Sequence, residues 1–281
     1  VALSIMTLLP EGSFMTWGWR VPFIMSALLV IFGLWIRKGI EETPSFKRVQ
    51  ESGEIPKLPI ADTLKYHWKE VIIAVGAKVV ETAPFYIFGT FVVSYATAEL
   101  GFSRTAVLNT VMVATIVTTI LIPIMGSLSD KIGRKKVYVA GTVGMILFAF
   151  PYFWMLQQQS LALLVIATII GLGIIWAPIT AVLGTMFSEI FDAKVRYTGI
   201  TLGYQIGAAL AGGTAPLIAT SLMLQFDGSY VPVAFYIIFT AVISLLAIWA
   251  VKDRSQQNLD EVTAVKKDES LAKAEKELSK V

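Results

Sequence analysis

The chain has 281 residues, of which 56% are hydrophobic and only 15% are charged, and its mean hydropathy is +0.70. Soluble domains carry about 25% charged residues, so this composition indicates a chain whose solvent is largely lipid and argues against a large soluble domain. The net charge is +3, and no nucleic-acid partner is expected. Cysteine is absent, so the sequence predicts no disulfide framework and no thiolate metal site in this portion.

A helix that crosses a bilayer needs about 20 consecutive, mainly apolar residues, because its backbone groups must be satisfied internally. Seven segments meet this requirement, at residues 19–36, 71–95, 105–128, 137–156, 161–187, 198–224 and 230–251. The sequence therefore predicts an all-α fold, a polytopic bundle of membrane helices.

The chain begins at Val1, and residues 2–9 are apolar but too few to cross a bilayer. We interpret residues 1–18 as the tail of a truncated transmembrane helix and an external loop, which makes the chain the C-terminal portion of a longer protein. A signal peptide is the alternative, and the lack of a basic n-region argues against it. The remaining predicted divisions are a transmembrane helix at 19–40, a central linker at 41–69, a six-helix bundle at 70–251 and a tail at 252–281.

The basic residues indicate an orientation. All but Arg20, Lys78 and Arg104 of the 23 Lys and Arg fall in four alternate polar segments. By the positive-inside rule these segments face the cytoplasm, which places the linker and the C-terminal tail there. The linker is rich in proline and charge, so we expect only a short surface helix within it, near residues 62–68. The single His67 is interpreted as an interfacial side chain rather than a metal ligand.

The segment GSLSDKIGRKK, residues 126–136, joins the third and fourth predicted spans. It is too short to be a domain, so we expect it to turn the chain tightly at the membrane surface. Gly126 would allow close helix packing, Asp130 would meet the positive N-terminus of a neighbouring helix, and Gly133 would permit the turn. The basic residues that follow would lie among the cytoplasmic headgroups.

This segment resembles the loop signature G-x-x-x-D-(R/K)-x-G-R-(K/R) of the major facilitator superfamily, in its C-terminal-half copy. The matching residues are Gly126, Asp130, Lys131, Gly133, Arg134 and Lys135. The segment SEIFDAKVRYTG, residues 188–199, is similar to the E-x6-R element of sugar-porter-like carriers, with Glu189 and Arg196 at its defining positions. The resemblance implies a cytoplasmic gate, in which the two acids and the two arginines form a charge cluster that holds one conformation. Static interfacial ion pairs are the alternative.

The stretches GWRVPFIMSALLVIFGLWIRKGIEETPSF and ETAPFYIFGTFVVSY resemble the metabolite:proton symporter family, whose members carry shikimate, oxoglutarate, citrate, dicarboxylates, proline or betaine. This resemblance implies a twelve-helix major facilitator fold in two halves, of which the chain holds the C-terminal six-helix half and the preceding helix. The first four helices and most of the fifth would lie in a missing N-terminal portion.

Lys78 and Glu81 are ionisable residues inside a predicted span, and their i, i+3 spacing places them on one helix face. A charge in hydrocarbon costs at least ~2.5–3.5 kcal/mol, so such residues generally face a cavity or a partner. Because the resemblance implies that this helix lines the central cavity, Lys78 is the candidate for holding a substrate carboxylate. Glu81 is the candidate for accepting the coupled proton. Mutual neutralisation that only fixes the packing is the alternative.

Further candidates for substrate or proton binding lie on the same face or on neighbouring spans: Thr82, Tyr86, Trp176, Tyr204 and Gln205. Weaker candidates are Asn109, Thr115, Thr119 and Thr180, and for the residues on neighbouring spans a helix–helix contact or an interface anchor is the alternative. Glycines that recur every four residues on one face predict a close helix approach, at Gly199, Gly203 and Gly207.

These observations lead to the hypothesis of a secondary active transporter, not an enzyme, that carries a small organic acid or zwitterion with protons by alternating access. Its expected partners are a carboxylate or zwitterionic substrate, protons, the lipid bilayer of the cell membrane and the missing N-terminal half of the same chain. No cofactor or metal is predicted. One alternative is a transporter-like membrane sensor. Another is a membrane-embedded enzyme, which the lack of clustered acids inside the spans disfavours.

Overall fold

The computed structural model describes residues 13, 16–39, 59–191 and 194–251. Most of the predicted N-terminal tail, the predicted linker up to residue 58 and the whole predicted C-terminal tail lie outside these residues. The described residues are largely helical and contain no strand. The chain divides into two compact units, Val1–Gly53 and Glu54–Val281.

The first unit contains a turn of 3₁₀-helix at Gly18–Arg20 and helix α1 at Val21–Gly39. The Arg20 guanidinium donates to the Thr16 carbonyl at 2.5 Å and lies 4.5 Å from the centre of the Trp19 ring. Most of the large apolar side chains of α1 are exposed within the unit. A helix that is apolar on all sides is expected to be surrounded by lipid or other helices, as a membrane span is.

Among its described residues the second unit contains seven helices: α2 at Pro59–Tyr66, α3 at Trp68–Ala98, α4 at Arg104–Ile132, α5 at Arg134–Gln157, α6 at Leu161–Ile190, α7 at Arg196–Gln225 and α8 at Val231–Trp249. Helices α3 to α8 and the segment Gly18–Gly39 are long and apolar enough to cross a membrane. The prediction of an all-helical chain with seven spans is therefore confirmed for the described part. The short helix expected near residues 62–68 is α2, which ends before His67.

Three spans are not regular α-helices throughout. Short π-helical segments interrupt α3 at Ile87–Phe91, α6 at Ile169–Ile175 and α7 at Ala208–Gly212. Each contains glycine, and the one in α3 also follows Pro84 by three residues. Segments of this kind are rare and often occur at functional sites. Hydropathy cannot detect them, because a local change in hydrogen-bond register leaves the apolar run intact.

Helix α3 is packed against α6, α7 and α8. Its approach to α7 depends on glycine. A Cβ on Gly203 would lie 2.5 Å from the Cβ of Ala74, and one on Gly207 would lie 2.6 Å from the Cβ of Lys78. The close approach predicted from the glycine spacing is confirmed for these two residues, whereas Gly199 lies against a side chain at the end of α6.

The connection between α4 and α5 makes the predicted tight turn at Gly133, but it is shorter than the predicted spans imply. Helix α4 continues to Ile132 and α5 begins at Arg134, so the turn consists of Gly133 alone, at φ 103° and ψ 134°. The segment 126–136 is mostly helical rather than a loop, because one glycine with positive φ is enough to end one helix before the next begins. A Cβ on Gly126 would meet nothing within 4 Å, so the close packing expected there is absent from the described residues.

Candidate functional site

A buried ion pair lies in the first half of α3. The Lys78 ammonium nitrogen is 2.5 Å from Oε2 of Glu81, one helical turn further along the chain. Both residues are buried among the surrounding helices. The i, i+3 spacing thus brings the two side chains together, as the sequence indicated.

Three further groups donate hydrogen bonds to Glu81. The Thr82 hydroxyl donates to Oε2 at 2.8 Å, and the Thr180 hydroxyl on α6 donates to Oε1 at 3.1 Å. The indole N–H of Trp176 donates to the backbone carbonyl of Glu81 at 2.5 Å. A buried carboxylate is tolerated when it is paired and hydrogen-bonded, and both oxygens of Glu81 meet this condition.

Lys78 is less completely coordinated than Glu81. Its ammonium lies 4.1 Å from the centre of the Tyr204 ring on α7, a distance suited to a cation–π contact. An ammonium has three N–H donors, and among the described residues Glu81 is the only acceptor that Lys78 contacts. The ammonium therefore retains donors for a further acceptor beside Tyr204.

Aromatic rings lie beside Trp176, whose indole donates to the Glu81 carbonyl. The rings of Phe85 and Trp176 are 5.0 Å apart, and Tyr86 meets Phe85 edge to face. Tyr86 is half-exposed. Its ring packs against Gly212 of α7, and a Cβ on Gly212 would lie 2.7 Å from a ring carbon of Tyr86. Gln205 is exposed on α7, and its side chain makes no hydrogen bond within the described residues.

The weaker candidates on α4 are not part of this cluster. The hydroxyls of Thr115 and Thr119 each donate at 2.8 Å to a carbonyl one turn earlier in their own helix. Both residues and Asn109 are exposed in the described structure. Only Thr180, of the weaker candidates, reaches the ion pair.

A second cluster joins the ends of α4, α5 and α6. Arg134, the first residue of α5, forms an ion pair with Glu189 near the end of α6. It also pairs with Asp130 near the end of α4 at 3.3 Å. The structure thus brings together three of the four charged residues that the resemblance assigns to a gate.

The other residues of the expected gate lie apart from these ion pairs. Arg196 forms no ion pair within the described residues, and its Nε donates to the Phe191 carbonyl at 3.3 Å. Lys131 is exposed in the last turn of α4. Lys135 donates to the carbonyls of Trp249 and Val251 at 3.3 and 2.6 Å, so it caps the C-terminus of α8. The sequence did not predict this contact, because residues 135 and 251 are far apart along the chain.

The described residues contain no group of three or more His, Cys, Asp or Glu that could hold a metal ion. The site that the structure offers is therefore the Lys78–Glu81 pair with its hydroxyl and aromatic neighbours, together with the ion pairs of Arg134.

The described residues contain seven helices that could span a membrane, with an ion pair buried inside one of them, and this arrangement defines a polytopic membrane protein. The sequence model of the Major Facilitator Superfamily matches residues 75–280, and the chain belongs to this superfamily.

Three curated transport proteins are similar in sequence to the chain. The chain is 32% identical over 253 residues to the shikimate transporter of Escherichia coli (strain K12), covering 89% of this chain and 57% of that protein. It is 33% identical over 265 residues to the inner membrane metabolite transport protein YhjE of the same strain, covering 92% and 59%. It is 29% identical over 282 residues to the glycine betaine/proline/ectoine/pipecolic acid transporter OusA of Dickeya dadantii (strain 3937), covering 97% and 56%.

The chain therefore spans about half the length of the curated relatives it matches. By their names these relatives are transporters rather than enzymes, and they agree with the family resemblance drawn from the sequence. No solved structure gives a significant match to the chain.

Proposed function

We propose that the complete protein to which this chain belongs is a secondary active transporter that carries a small organic acid or zwitterion together with protons by alternating access. The observation that supports this most strongly is the buried pair of Lys78 and Glu81 in α3. Ionisable residues inside membrane helices are rare and often mark substrate pathways or proton relays. The names of the relatives agree with such a substrate, since shikimate is a carboxylate and glycine betaine is a zwitterion.

Charge balance gives a physical reason for proton coupling. In the empty site Lys78 and Glu81 neutralise each other. When a substrate carboxylate takes the place of Glu81 beside Lys78, the Glu81 carboxylate is left buried and unpaired unless it takes up a proton. Unpaired buried charge is costly, so substrate and proton bind together. For an organic acid the site is then neutral both empty and fully loaded, and these two forms change conformation more readily than the charged half-loaded forms.

The aromatic neighbours fit the cationic end of a zwitterion. The Tyr204 ring already lies over the Lys78 ammonium, and the Trp176 indole, which donates to the Glu81 carbonyl, packs against the Phe85 ring. Ring faces attract quaternary ammonium groups, so a betaine carboxylate bound at Lys78 could place its cation against these rings. An organic acid without a cationic group would use only the contact between its carboxylate and Lys78.

The second cluster would serve as a cytoplasmic latch. Arg134 links α5 to α4 through Asp130 and to α6 through Glu189, so a relative movement of these helix ends must break an ion pair. In this proposal the ends of α4, α5 and α6 and the C-terminal tail face the cytoplasm, in agreement with the positive-inside distribution of the basic residues.

The N-terminal half would complete the substrate cavity. The exposed polar residues Gln205, Thr115 and Thr119 would face this half across the cavity rather than lipid. Substrate would bind near the bilayer midplane between the two halves, as transporters built from repeats generally arrange it.

The test is substrate uptake by the complete transporter in proteoliposomes, with and without an inward proton gradient, using labelled shikimate and labelled glycine betaine in parallel. We expect the gradient to accelerate uptake of one of these two solutes at least several-fold. Lys78→Ala should abolish that uptake, because the substrate carboxylate loses its cation. Glu99→Gln, which removes an exposed carboxylate just beyond α3, is the matched control and should transport normally.

Uptake that does not respond to the proton gradient would contradict the proposed coupling. Unchanged uptake by Lys78→Ala would contradict the proposed substrate site, even if coupling is found.

A further inference from the structure

Side chains from three helices form hydrogen bonds with the backbone of α3 around the ion pair. The hydroxyl of Ser244 on α8 accepts from the Val80 amide at 3.0 Å and donates to the Gly76 carbonyl at 2.7 Å. In a regular α-helix these two backbone groups are partners of each other. Ser244 thus inserts its hydroxyl between the backbone partners Gly76 and Val80, which lie two residues before and two residues after Lys78.

Two more donors reach the same part of α3. The Tyr138 hydroxyl on α5 donates to the Ala77 carbonyl at 2.6 Å. The Trp176 indole on α6 donates to the Glu81 carbonyl, as described above. The donors of α5, α6 and α8 therefore surround the turn that carries the ion pair.

Two features of the local sequence affect this part of α3. Pro84 has no N–H, so the Val80 carbonyl receives no backbone hydrogen bond from residue 84. At Gly76 the backbone of α8 comes close, since a Cβ there would lie 2.8 Å from the Cβ of Ala247. Ser244 is fully buried and reaches the α3 backbone because of this approach.

We propose that Ser244 and Tyr138 are positioning residues for the transport site: their hydroxyls hold the backbone of α3 at residues 76–80 and thereby direct Lys78 toward Glu81 and the substrate. Neither hydroxyl forms a hydrogen bond with the Lys78 or Glu81 side chain within the described residues; both hydrogen-bond to the α3 backbone instead. We therefore expect their effect on transport to pass through the α3 backbone. This inference rests on the proposed function for its transport readout, whereas the state of the backbone can be measured independently.

The test uses two nearly isosteric substitutions, Ser244→Ala and Tyr138→Phe, in the complete transporter. Each has a matched control on the same helix. Thr240→Val removes a buried hydroxyl of α8 that donates only to its own helix, at the Ile237 carbonyl. Tyr152→Phe removes a buried hydroxyl of α5 that does not reach the α3 backbone.

The first readout is hydrogen exchange of peptides that cover residues 76–81. Interhelical hydrogen bonds in membranes are modest, so we expect exchange there to accelerate roughly three- to tenfold in both test variants and to remain unchanged in the controls. Unchanged exchange in Ser244→Ala and Tyr138→Phe would overturn the proposal whatever the transport result.

The second readout is the division of the transport effect between KM and kcat. A displaced Lys78 weakens substrate binding, so KM should rise roughly three- to tenfold while kcat and the amount of folded protein change little. Faster exchange with unchanged KM would overturn the positioning role. If the unmodified transporter moves no substrate, the proposed function fails, and the exchange measurement still decides whether the two hydroxyls hold α3.

Discussion

The ammonium group of Lys78 and the carboxylate of Glu81 are in direct contact on α3, although their side chains are only 8% and 11% exposed. At this degree of burial, each charge is stabilised by the other. Removing one partner leaves the other buried and unpaired, whereas removing both leaves no charge to desolvate. The dependence of one charge on the other can therefore be measured from the stability of single and double variants, without measuring transport.

We expect Lys78→Ala to destabilise the protein by about 3 kcal/mol, because Glu81 is left as an unpaired buried charge. The double variant Lys78→Ala with Glu81→Gln should recover most of this loss. Thermal unfolding in detergent measures both values. A double variant no more stable than Lys78→Ala would show that the two charges do not depend on each other.

The contact between α3 and α7 leads to a second prediction. Gly207→Ala should lower the free energy of unfolding by about 1–3 kcal/mol, because its Cβ would lie 2.6 Å from the Cβ of Lys78 and 3.2 Å from the Val75 carbonyl oxygen. Gly184→Ala on α6 is the control, since its Cβ would meet its nearest neighbour at an ordinary 3.5 Å. Equal stability of the two variants would mean that α7 can move away from α3 without cost.

Arg134 has one buried and one exposed partner, and the two should contribute unequally. The Glu189 side chain is 7% exposed and that of Asp130 is 66% exposed. We expect Glu189→Ala to destabilise the protein by about 1–3 kcal/mol and Asp130→Ala by less than about 1 kcal/mol. Chemical denaturation of the two variants, compared at one ionic strength, checks this order. A larger effect at Asp130 would contradict the arrangement of the cluster.

Gly133 is the residue at which the chain turns between α4 and α5. Its φ of 103° is strained for any residue with a Cβ, so Gly133→Ala should cost about 1–3 kcal/mol. Gly126→Ala is the matched control inside α4, where a Cβ meets nothing within 4 Å and alanine is the better helix former. The contrast is measured by thermal unfolding, and a harmless Gly133→Ala would argue against the one-residue turn.

The sequence predicts the features that depend on local pattern. Hydropathy locates the seven spans, the i, i+3 spacing pairs Lys78 with Glu81, and the four-residue spacing of glycines anticipates the approach of α7 to α3. The resemblance to a family signature links Arg134 with Glu189, which are distant along the chain. Each of these features is encoded within a short segment or in a recognisable motif.

The remaining features depend on how different helices meet. The contact of Thr180 with Glu81 and the bridge from Ser244 to α3 join residues about a hundred or more positions apart. The sequence signals such contacts only by an isolated hydroxyl-bearing residue in an apolar span, and this signal does not show which residue it contacts. The sequence predicts the turn at Gly133 but not that the helices continue to Ile132 and from Arg134 on its two sides, because charge composition does not indicate where a helix ends.

Proton movement during transport tests the central claim most directly. The complete transporter in proteoliposomes is given substrate in weakly buffered medium, and the external pH is recorded together with uptake. The coupling proposed for Lys78 and Glu81 predicts that substrate makes the medium more alkaline as protons enter. Glu81→Gln should abolish this change and keep exchange of labelled for unlabelled substrate. Substrate uptake with no pH change in the unmodified protein, or proton uptake that survives in Glu81→Gln, would contradict the account.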